Sequence, residues 1–360
     1  MSELNTARRE ITRIDEEMAR LFEQRMREAE KIAAYKKEHG LPVRDPAREE
    51  ALIAHCRKLI DNPVLEGHYA DFLRSVIDLS CRYQETLIQG RTVAFSGVEG
   101  AWAHIAARTL FPESACRGFS SFEEAYRAVE RGECDCAVLP LENSYAGDVG
   151  TVMDLLFTGS LFINQVIDLP VRHGLLGCPG AELSGIRTVY SHPQALSQCE
   201  DFIRSRGLKT VECANTALAA RQVLALGDPS AAAIASEEAA ALYGLTLLQS
   251  GINDAANNTT HFAVFSRSLN RPERSALKDN AGFILVFTVQ NRAGALAQTL
   301  NIIGAHGYNM KTLRSRPMKD LQWSYYFYIE AEGNITGPNG DMLLRELGAV
   351  CARLKLAGIY

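Results

Sequence analysis

Residues 86–97 read Thr-Leu-Ile-Gln-Gly-Arg-Thr-Val-Ala-Phe-Ser-Gly, and the chain changes character inside this stretch. Upstream, residues 1–90 hold only Gly40, Gly67 and Gly90 of the 27 glycines, so long helices run there uninterrupted. Downstream of Arg91, glycines recur at turn-like intervals, and the apolar run from Thr92 to Phe95 has the length and the turn-bounded setting of a buried strand. The expectation is an all-helical segment followed by α/β structure.

From Thr6 to about Glu38 there is neither Gly nor Pro, and Ile11, Ile14, Met18, Leu21, Ile32 and Tyr35 form a heptad stripe on one long helix. Arg25 and Glu28 fall on that stripe. A charge there needs a partner or a ligand to offset its desolvation, so Arg25 either pairs with a carboxylate such as Glu28 or Glu49 or serves a site. Lys36 follows eleven residues later, about 16 Å along the axis and on a similar face. Arg8 lies about 25 Å from Arg25, too far for one small ligand to touch both on a single helix. It could share a site with Arg25 only through a second chain. Asp45 before Pro46 is a cap followed by a proline at the first helical position, with Glu49 one turn inside. A third helix, from about Leu65 to Ile88, sets Ser80 and Gln84 one turn apart.

Working onward from Thr92, strands are expected at Asp135–Leu139, Thr188–Tyr190, Lys209–Cys213 and Ala231–Ala235, with helices between them. The strand, polar turn, helix order occurs once before Gly177 and again after Ile186, which implies two similar lobes facing a cleft. Ser120-Ser121, Glu142-Asn143-Ser144, Ser191-His192-Pro193-Gln194 and Asn215-Thr216 are expected to open helices. Helix N-termini attract anions, although Ser, Thr and Asn at such places are commonly plain caps. The run Asn257 to Phe262 is a polar cluster leading into a strand at Ala263–Ser266. Ser268–Asn280 reads as a linker, and residues 281–360 follow a βαββαβ pattern.

Composition narrows the function. The 360 residues, 47% hydrophobic and 22% charged, suffice for about two to three domains. With 38 basic and 43 acidic residues the net charge is -5, against nucleic-acid binding. No apolar run approaches the roughly 20 residues of a membrane helix, and the charged N-terminus does not read as a signal peptide, so a cytoplasmic protein is expected. Nine scattered cysteines without metal-ligand spacing read as free thiols, and no metal is expected.

Residues 1–90 resemble the intertwined-dimer chorismate mutases through Arg8, Arg25, Lys36, Val43-Arg44-Asp45, Arg48-Glu49 and the Ser80-x-x-x-Gln84 ending. The resemblance implies that Arg8 of a second chain and Arg25 hold the carboxylates of chorismate. It further implies that Lys36 and Gln84 face the ether oxygen, with Asp45, Glu49 and Ser80 on the ring-hydroxyl side. An ungapped register from His68 and Tyr69 would instead bring Cys81 and Glu85 to the positions of Ser80 and Gln84.

Residues 91–267 resemble prephenate dehydratase, a two-lobed fold like the periplasmic binding proteins. The match lies in Gly97-x-x-Gly100, Leu139-Pro140-Leu141-Glu142-Asn143-Ser144, Ser191-His192-Pro193-Gln194 and Tyr243-Gly244-Leu245. The family's Thr-Arg-Phe is here Thr260-His261-Phe262. The resemblance makes Thr260 the hydrogen-bond donor to the departing hydroxide, with Asn143, Ser144, Ser191, Gln198, Thr216 and His261 around prephenate. If the family arginine neutralises a carboxylate, His261 would replace it only when protonated.

Residues 281–360 resemble the ferredoxin-like ACT domains that bind amino acids at dimer interfaces. Asn291, Gly294, Ala295 and Leu296 match one effector stretch, and Arg314-Ser315-Arg316-Pro317 stands where the family has Glu-Ser-Arg-Pro. Arg314 and Ser315 are thus expected at a phenylalanine site, with Arg314 altering or weakening it; dimerisation alone is the other reading of this domain. The whole resemblance implies a homodimer or larger oligomer converting chorismate through prephenate to phenylpyruvate, without cofactor, under phenylalanine control. Arogenate as a second substrate remains open. The alternative is an amino-acid-responsive regulatory protein that keeps the mutase but has an impaired dehydratase.

Overall fold

The computed structural model describes residues 3–255, 257–270, 281–318 and 324–360, so most of the expected linker lies outside the described residues. The chain divides into two compact units, Met1–Thr92 and Val93–Tyr360.

The first unit is three helices: α1 (Glu3–His39), α2 (Pro46–Arg57) and α3 (Pro63–Gln89). At 37 residues α1 is about 55 Å long, but only its C-terminal half packs on α3. There Ala29 and Ala33 are buried, and their small side chains bring the two backbones close. The upstream half of the stripe stays open, with Ile11 59% and Leu21 63% exposed. Asp45 caps α2 by accepting from the Arg48 amide at 3.1 Å, and Asn62 caps α3 ahead of Pro63. Helix α3 buries Ala70, Leu73, Ile77, Ser80, Cys81 and Gln84, one face at helical spacing.

The second unit begins with a lobe of β1 (Thr92–Ser96), α4 (Trp102–Leu110), β2 (Ala115–Phe119), α5 (Phe122–Glu130), β3 (Cys136–Asn143), β4 (Gly147–Asp148), α6 (Gly150–Thr158) and β5 (Phe162–Pro170). A second lobe follows: β6 (His173–Gly177), β7 (Thr188–Ser191), α7 (Pro193–Ser197), α8 (Glu200–Ser205), β8 (Lys209–Glu212), α9 (Thr216–Leu226), β9 (Ala231–Ser236), α10 (Glu237–Tyr243) and β10 (Thr246–Gln249), with sheet order β10-β6-β9-β7-β8. The chain then returns to the first lobe as β11 (Thr259–Ser266), which lies antiparallel between β3 and β5. The two crossings are bound together where the Val171 amide donates to the Asn258 carbonyl at 2.8 Å.

The remaining residues form β12 (Gly282–Val289), α11 (Ala295–Ala305), β13 (Asn309–Pro317), β14 (Tyr325–Glu332), α12 (Pro338–Val350) and β15 (Cys351–Ile359). This module extends the first lobe's sheet, because β15 pairs with β5 at Gly358 and Ile163. A Cβ on residue 358 would sit 2.7 Å from the Ile163 carbonyl, so only glycine permits the join. Alternation then divides the module's sheet. Phe283, Leu285, Phe287 and Ile329 pack with Ile303 of α11 and Leu343 of α12, while Ile284, Val286, Tyr326 and Tyr328 join the first lobe's core.

One expected helix start is a strand end. Glu142 and Asn143 close β3, and the Asn143 carboxamide oxygen accepts from the Tyr145 and Ala146 amides at 3.0 and 2.9 Å. That asparagine turn reverses the chain into β4, and α6 starts only at Gly150. Thr260 likewise lies inside β11 rather than ahead of it.

Candidate active sites

In the first unit, Arg25, Lys36, Arg48, Glu49, Ser80 and Gln84 line one cavity of about 790 Å³, with Asp45 at its α2 edge. Arg25 donates to the Ser80 hydroxyl and, at 3.4 Å, to the Val76 carbonyl; it does not meet Glu28, which pairs with Lys31 at 2.7 Å. Burial pushes the Arg25 guanidinium below its ordinary range. Lys36 donates to the Val43 carbonyl and lies 3.4 Å from the Gln84 carboxamide oxygen. Gln84 in turn donates to the Ser80 carbonyl at 3.3 Å. Ser80 and Gln84 are therefore the α3 residues that meet Arg25 and Lys36. Cys81 faces Glu49 at 3.8 Å, and Glu85 is outside the cavity lining. Arg8 is on the exposed half of α1, also outside this cavity.

The second unit holds a cavity of about 620 Å³ between its lobes. Asn143, Gln198, Thr216 and Thr260 line it, as do Ser120 and Asn215. Five helix N-termini reach it: Trp102 of α4, Phe122 of α5, Gly150 of α6, Gln194 of α7 and Thr216 of α9 all belong to the wall. The caps behave as caps, with Ser121 accepting from the Glu124 amide at 3.1 Å and Asn215 from the Leu218 amide at 2.7 Å. Among the described residues lining this cleft there is no Lys or Arg. An anion there meets helix ends and neutral amides, and the one acidic side chain of the described lining, Asp148, is paired with Arg314.

Asn143 on β3 and Thr260 on β11 are register partners, and the Asn143 amide donates to the Thr260 hydroxyl oxygen at 2.9 Å. The same amide donates to the Asn258 carboxamide oxygen at 2.9 Å. Because Thr260 accepts from Asn143, its own proton is left to point elsewhere. His261 does not line the cleft: successive strand residues face opposite sides, and its Nδ1 meets Asp168 on β5 at 2.6 Å. Ser191 is fully buried and donates to the Ile234 carbonyl at 2.6 Å, and Ser144 exchanges bonds with Asn257 and Thr259; neither lines the cavity.

The same alternation separates Arg314 from Ser315 on β13. Ser315 is exposed, while Arg314 turns inward to pair with Glu142 at 2.6 Å and with Asp148. Arg316 reaches Asp154 of α6 at 3.1 Å, and Tyr326 donates to the same carboxylate at 2.8 Å. Tyr326 also stacks on Phe157 at 4.3 Å, and Lys355 donates to three carbonyls, of Leu156, Gly159 and Leu161, around the end of α6. Asn291 and Gly294 are exposed at the start of α11, where Gly294 takes φ +79°, and Ala295 is buried. Arg314, expected at the effector site as a residue that alters or weakens it, is occupied here by two carboxylates of the first lobe.

Sequence reasoning passed over Trp102 and His173. Each is a lone polar group in an apolar or loop setting, with no spacing signal to mark it.

A cation-rich helical pocket and a two-lobed cleft walled by helix ends, with no cluster of metal-binding side chains among the described residues, define a bifunctional enzyme for small organic anions. The chorismate mutase type II family model matches residues 7–85, and the prephenate dehydratase family model matches residues 93–270. A bifunctional chorismate mutase/prephenate dehydratase of Enterobacter agglomerans is 32% identical over 369 residues, spanning 98% of this chain and 94% of that protein. The chain belongs to the bifunctional chorismate mutase/prephenate dehydratase family. Among solved structures, the prephenate dehydratase of Arthrobacter aurescens in complex with L-Phe superposes with TM-score 0.69 at 28% identity, covering 75% of this chain and 89% of that one. GqqA, described as a quorum-quenching acylase, superposes with TM-score 0.68 at 33% identity, covering 75% of this chain and 97% of its own.

Proposed function

We propose that the chain rearranges chorismate to prephenate in the helical cavity, then removes water and carbon dioxide from prephenate in the cleft to give phenylpyruvate. The mutase step needs no covalent chemistry. It needs a compact dianion and donors at the ether oxygen where negative charge grows, and Lys36 beside Gln84 supplies a cation and an amide at one point. Arg25 holds one carboxylate. Asp45, Glu49 and Ser80 orient the ring-hydroxyl side. The exposed apolar stripe and the distance of Arg8 from Arg25 support an intertwined homodimer in which the partner's Arg8 holds the other carboxylate.

The observation that carries the dehydratase reading is the Asn143–Thr260 hydrogen bond. It fixes the threonine oxygen as acceptor and leaves its proton for the ring hydroxyl, which departs as water while carbon dioxide leaves the carbon across the ring; the electron pair of the broken C–C bond moves through the ring to make it aromatic, and a solvent proton restores the threonine hydroxyl. Threonine is a weak acid, so position rather than pKa recommends it. Gln198 and Thr216 hold the dianion with the helix ends. His261 being off the cleft wall leaves this arrangement without need of the family arginine's charge. An acylase reaction would require a nucleophile held by a base, and no serine or threonine of the described cleft wall is hydrogen-bonded to a histidine.

The C-terminal module is read as an ACT domain that senses phenylalanine near Asn291, Gly294, Ala295, Leu296 and Ser315. Support comes from its grip on α6 and on Glu142, both adjoining the cleft. Nine free thiols suit a cytoplasmic enzyme. The test is to supply chorismate with and without phenylalanine and follow prephenate and phenylpyruvate. Phenylpyruvate formation suppressed by phenylalanine is expected; prephenate accumulating unchanged would overturn the dehydratase and effector readings together.

A further inference from the structure

The cleft wall contains buried polar atoms that no protein group satisfies. His173 is 1% exposed and Gln198 is 5% exposed. The imidazole Nε2 lies 2.9 Å from the Gln198 carboxamide oxygen, while the His173 Nδ1, the Gln198 amide nitrogen and the Trp102 indole nitrogen have no partner. All three residues line the same cavity, and the Trp102 and His173 rings meet edge to face at 5.8 Å. Burying donors unpaired is unfavourable, so the Trp102 and Gln198 N–H groups await an acceptor, while His173 Nδ1 is left as a lone pair once Nε2 carries the proton.

The dyad is held from behind. Asn253 accepts from the His173 amide at 2.6 Å and donates to the Val171 carbonyl at 3.1 Å. The Ile252 amide bonds the His173 carbonyl at 3.0 Å, and the Asp254 amide bonds the Gln198 carbonyl at 2.9 Å. One segment, 252–254, thus braces both residues. A carboxamide has a donor end and an acceptor end, and an anionic substrate is attracted to one and repelled by the other.

We propose that His173 is a positioning residue of the dehydratase: its Nε2–H holds the Gln198 oxygen, so that the Gln198 amide donates into the cleft toward a prephenate carboxylate. The neutral imidazole does this without placing a charge in the wall, and burial keeps it neutral by pushing its pKa down. The proposal rests on the reading of Gln198 as a substrate contact.

A double-mutant cycle on the full chain, with prephenate as the probe, tests it. His173→Leu is expected to lower dehydratase kcat/KM about a hundredfold, the cost of misplacing a binding group. In a Gln198→Leu background the same change is expected to cost less than about threefold, because the residue acts through Gln198. His173→Gln, which keeps a donor near the Nε2 position, should recover most of the loss, and this rescue also separates positioning from misfolding. Additive losses, or wild-type activity in His173→Leu, would overturn the proposal alone. A Gln198→Leu enzyme with wild-type kcat/KM would overturn the reading of Gln198 and the proposal with it.

Discussion

On the proposed reading, prephenate leaves one pocket of this chain and enters the other, and the two meet the same dianion with different surfaces. The helical cavity gathers Arg25, Lys31, Lys36, Arg44 and Arg48, whereas the cleft offers five helix ends, amides and hydroxyls with no cationic side chain among its described lining. The difference follows from the folds. The helical cavity is walled mainly by the sides of helices, with only the start of α2 at its edge, so most of its positive charge comes from Arg and Lys. An α/β lobe aims helix ends at the cleft, each worth about 0.3–1 kcal/mol toward an anion, and needs no cation there.

The comparison breaks most visibly in the helical cavity. Lys36→Ala should lower mutase kcat/KM by about a thousandfold, since it removes a charge-assisted donor where charge develops. Dehydratase turnover on added prephenate should be unchanged in the same protein. A parallel fall in both would mean that the variant damages the chain generally. Next in size, Thr260→Val should cost the dehydratase about a hundredfold while leaving the mutase intact, so prephenate accumulates from chorismate. Thr260→Ser, which keeps the hydroxyl beside Asn143, should recover most of that loss. If Thr260→Val retains full turnover, the Asn143–Thr260 bond is structural.

How much of this was legible beforehand depends on which physics carries each residue. Arg25 stood out because charge on an apolar helical face is costly, and Lys36 because it follows eleven residues later on a similar face, signals present in the sequence alone. The Ser80 and Gln84 register was ambiguous by one residue; Cys81 is buried as well, and what favours the first register is that Ser80 meets Arg25 and Gln84 meets Lys36 while Glu85 is outside the cavity lining. Asn143 was read as a helix opener because its turn chemistry suits either role, and only the pairing of β3 with β4 shows which. His261 and Arg314 were assigned by motif to two different ligands. Strand alternation turns His261 off the cleft wall and aims Arg314 at Glu142 and Asp148, facts hidden until the register of β11 and β13 is known. His173 left no trace, since a lone histidine in an apolar strand reads as core.

Salt sharpens the comparison more gently. Raising ionic strength from low to about half molar should increase the mutase KM several-fold, because guanidinium and ammonium contacts at a solvent-open cavity are screened. The dehydratase KM should move less than about twofold, because its donors carry no net charge. Equal salt slopes would show that a cation reaches the cleft when substrate binds. At the junction with the C-terminal module, Arg314→Ala should shift the phenylalanine concentration for half-inhibition about fivefold with little change in basal turnover. Its guanidinium ties β13 to Glu142, the neighbour of Asn143, and an unchanged inhibition curve would take that pair out of the control path.

The smallest effect tests whether the neutral cleft is maintained against acid. Burial lowers the pKa of His173 in the folded state, and those of His192 and His104 as well. A histidine kept neutral by folding favours the native state above its unfolded pKa of about 6.5, because only the unfolded chain takes up the proton below it. Stability of the second unit should therefore fall as pH drops from 7 toward 5, read as a lower thermal midpoint. Replacing His173 by Gln removes one of three such groups, so the fall should become shallower by a fraction and not vanish. The helical unit, whose histidines His39, His55 and His68 are all exposed, should melt with little change over the same interval. His306, whose pKa is raised by its bonds to Asn339 and Glu346, works the other way, so the decisive reading is the difference between the two proteins: a His173→Gln variant with the wild-type pH dependence would mean that His173 contributes nothing to it.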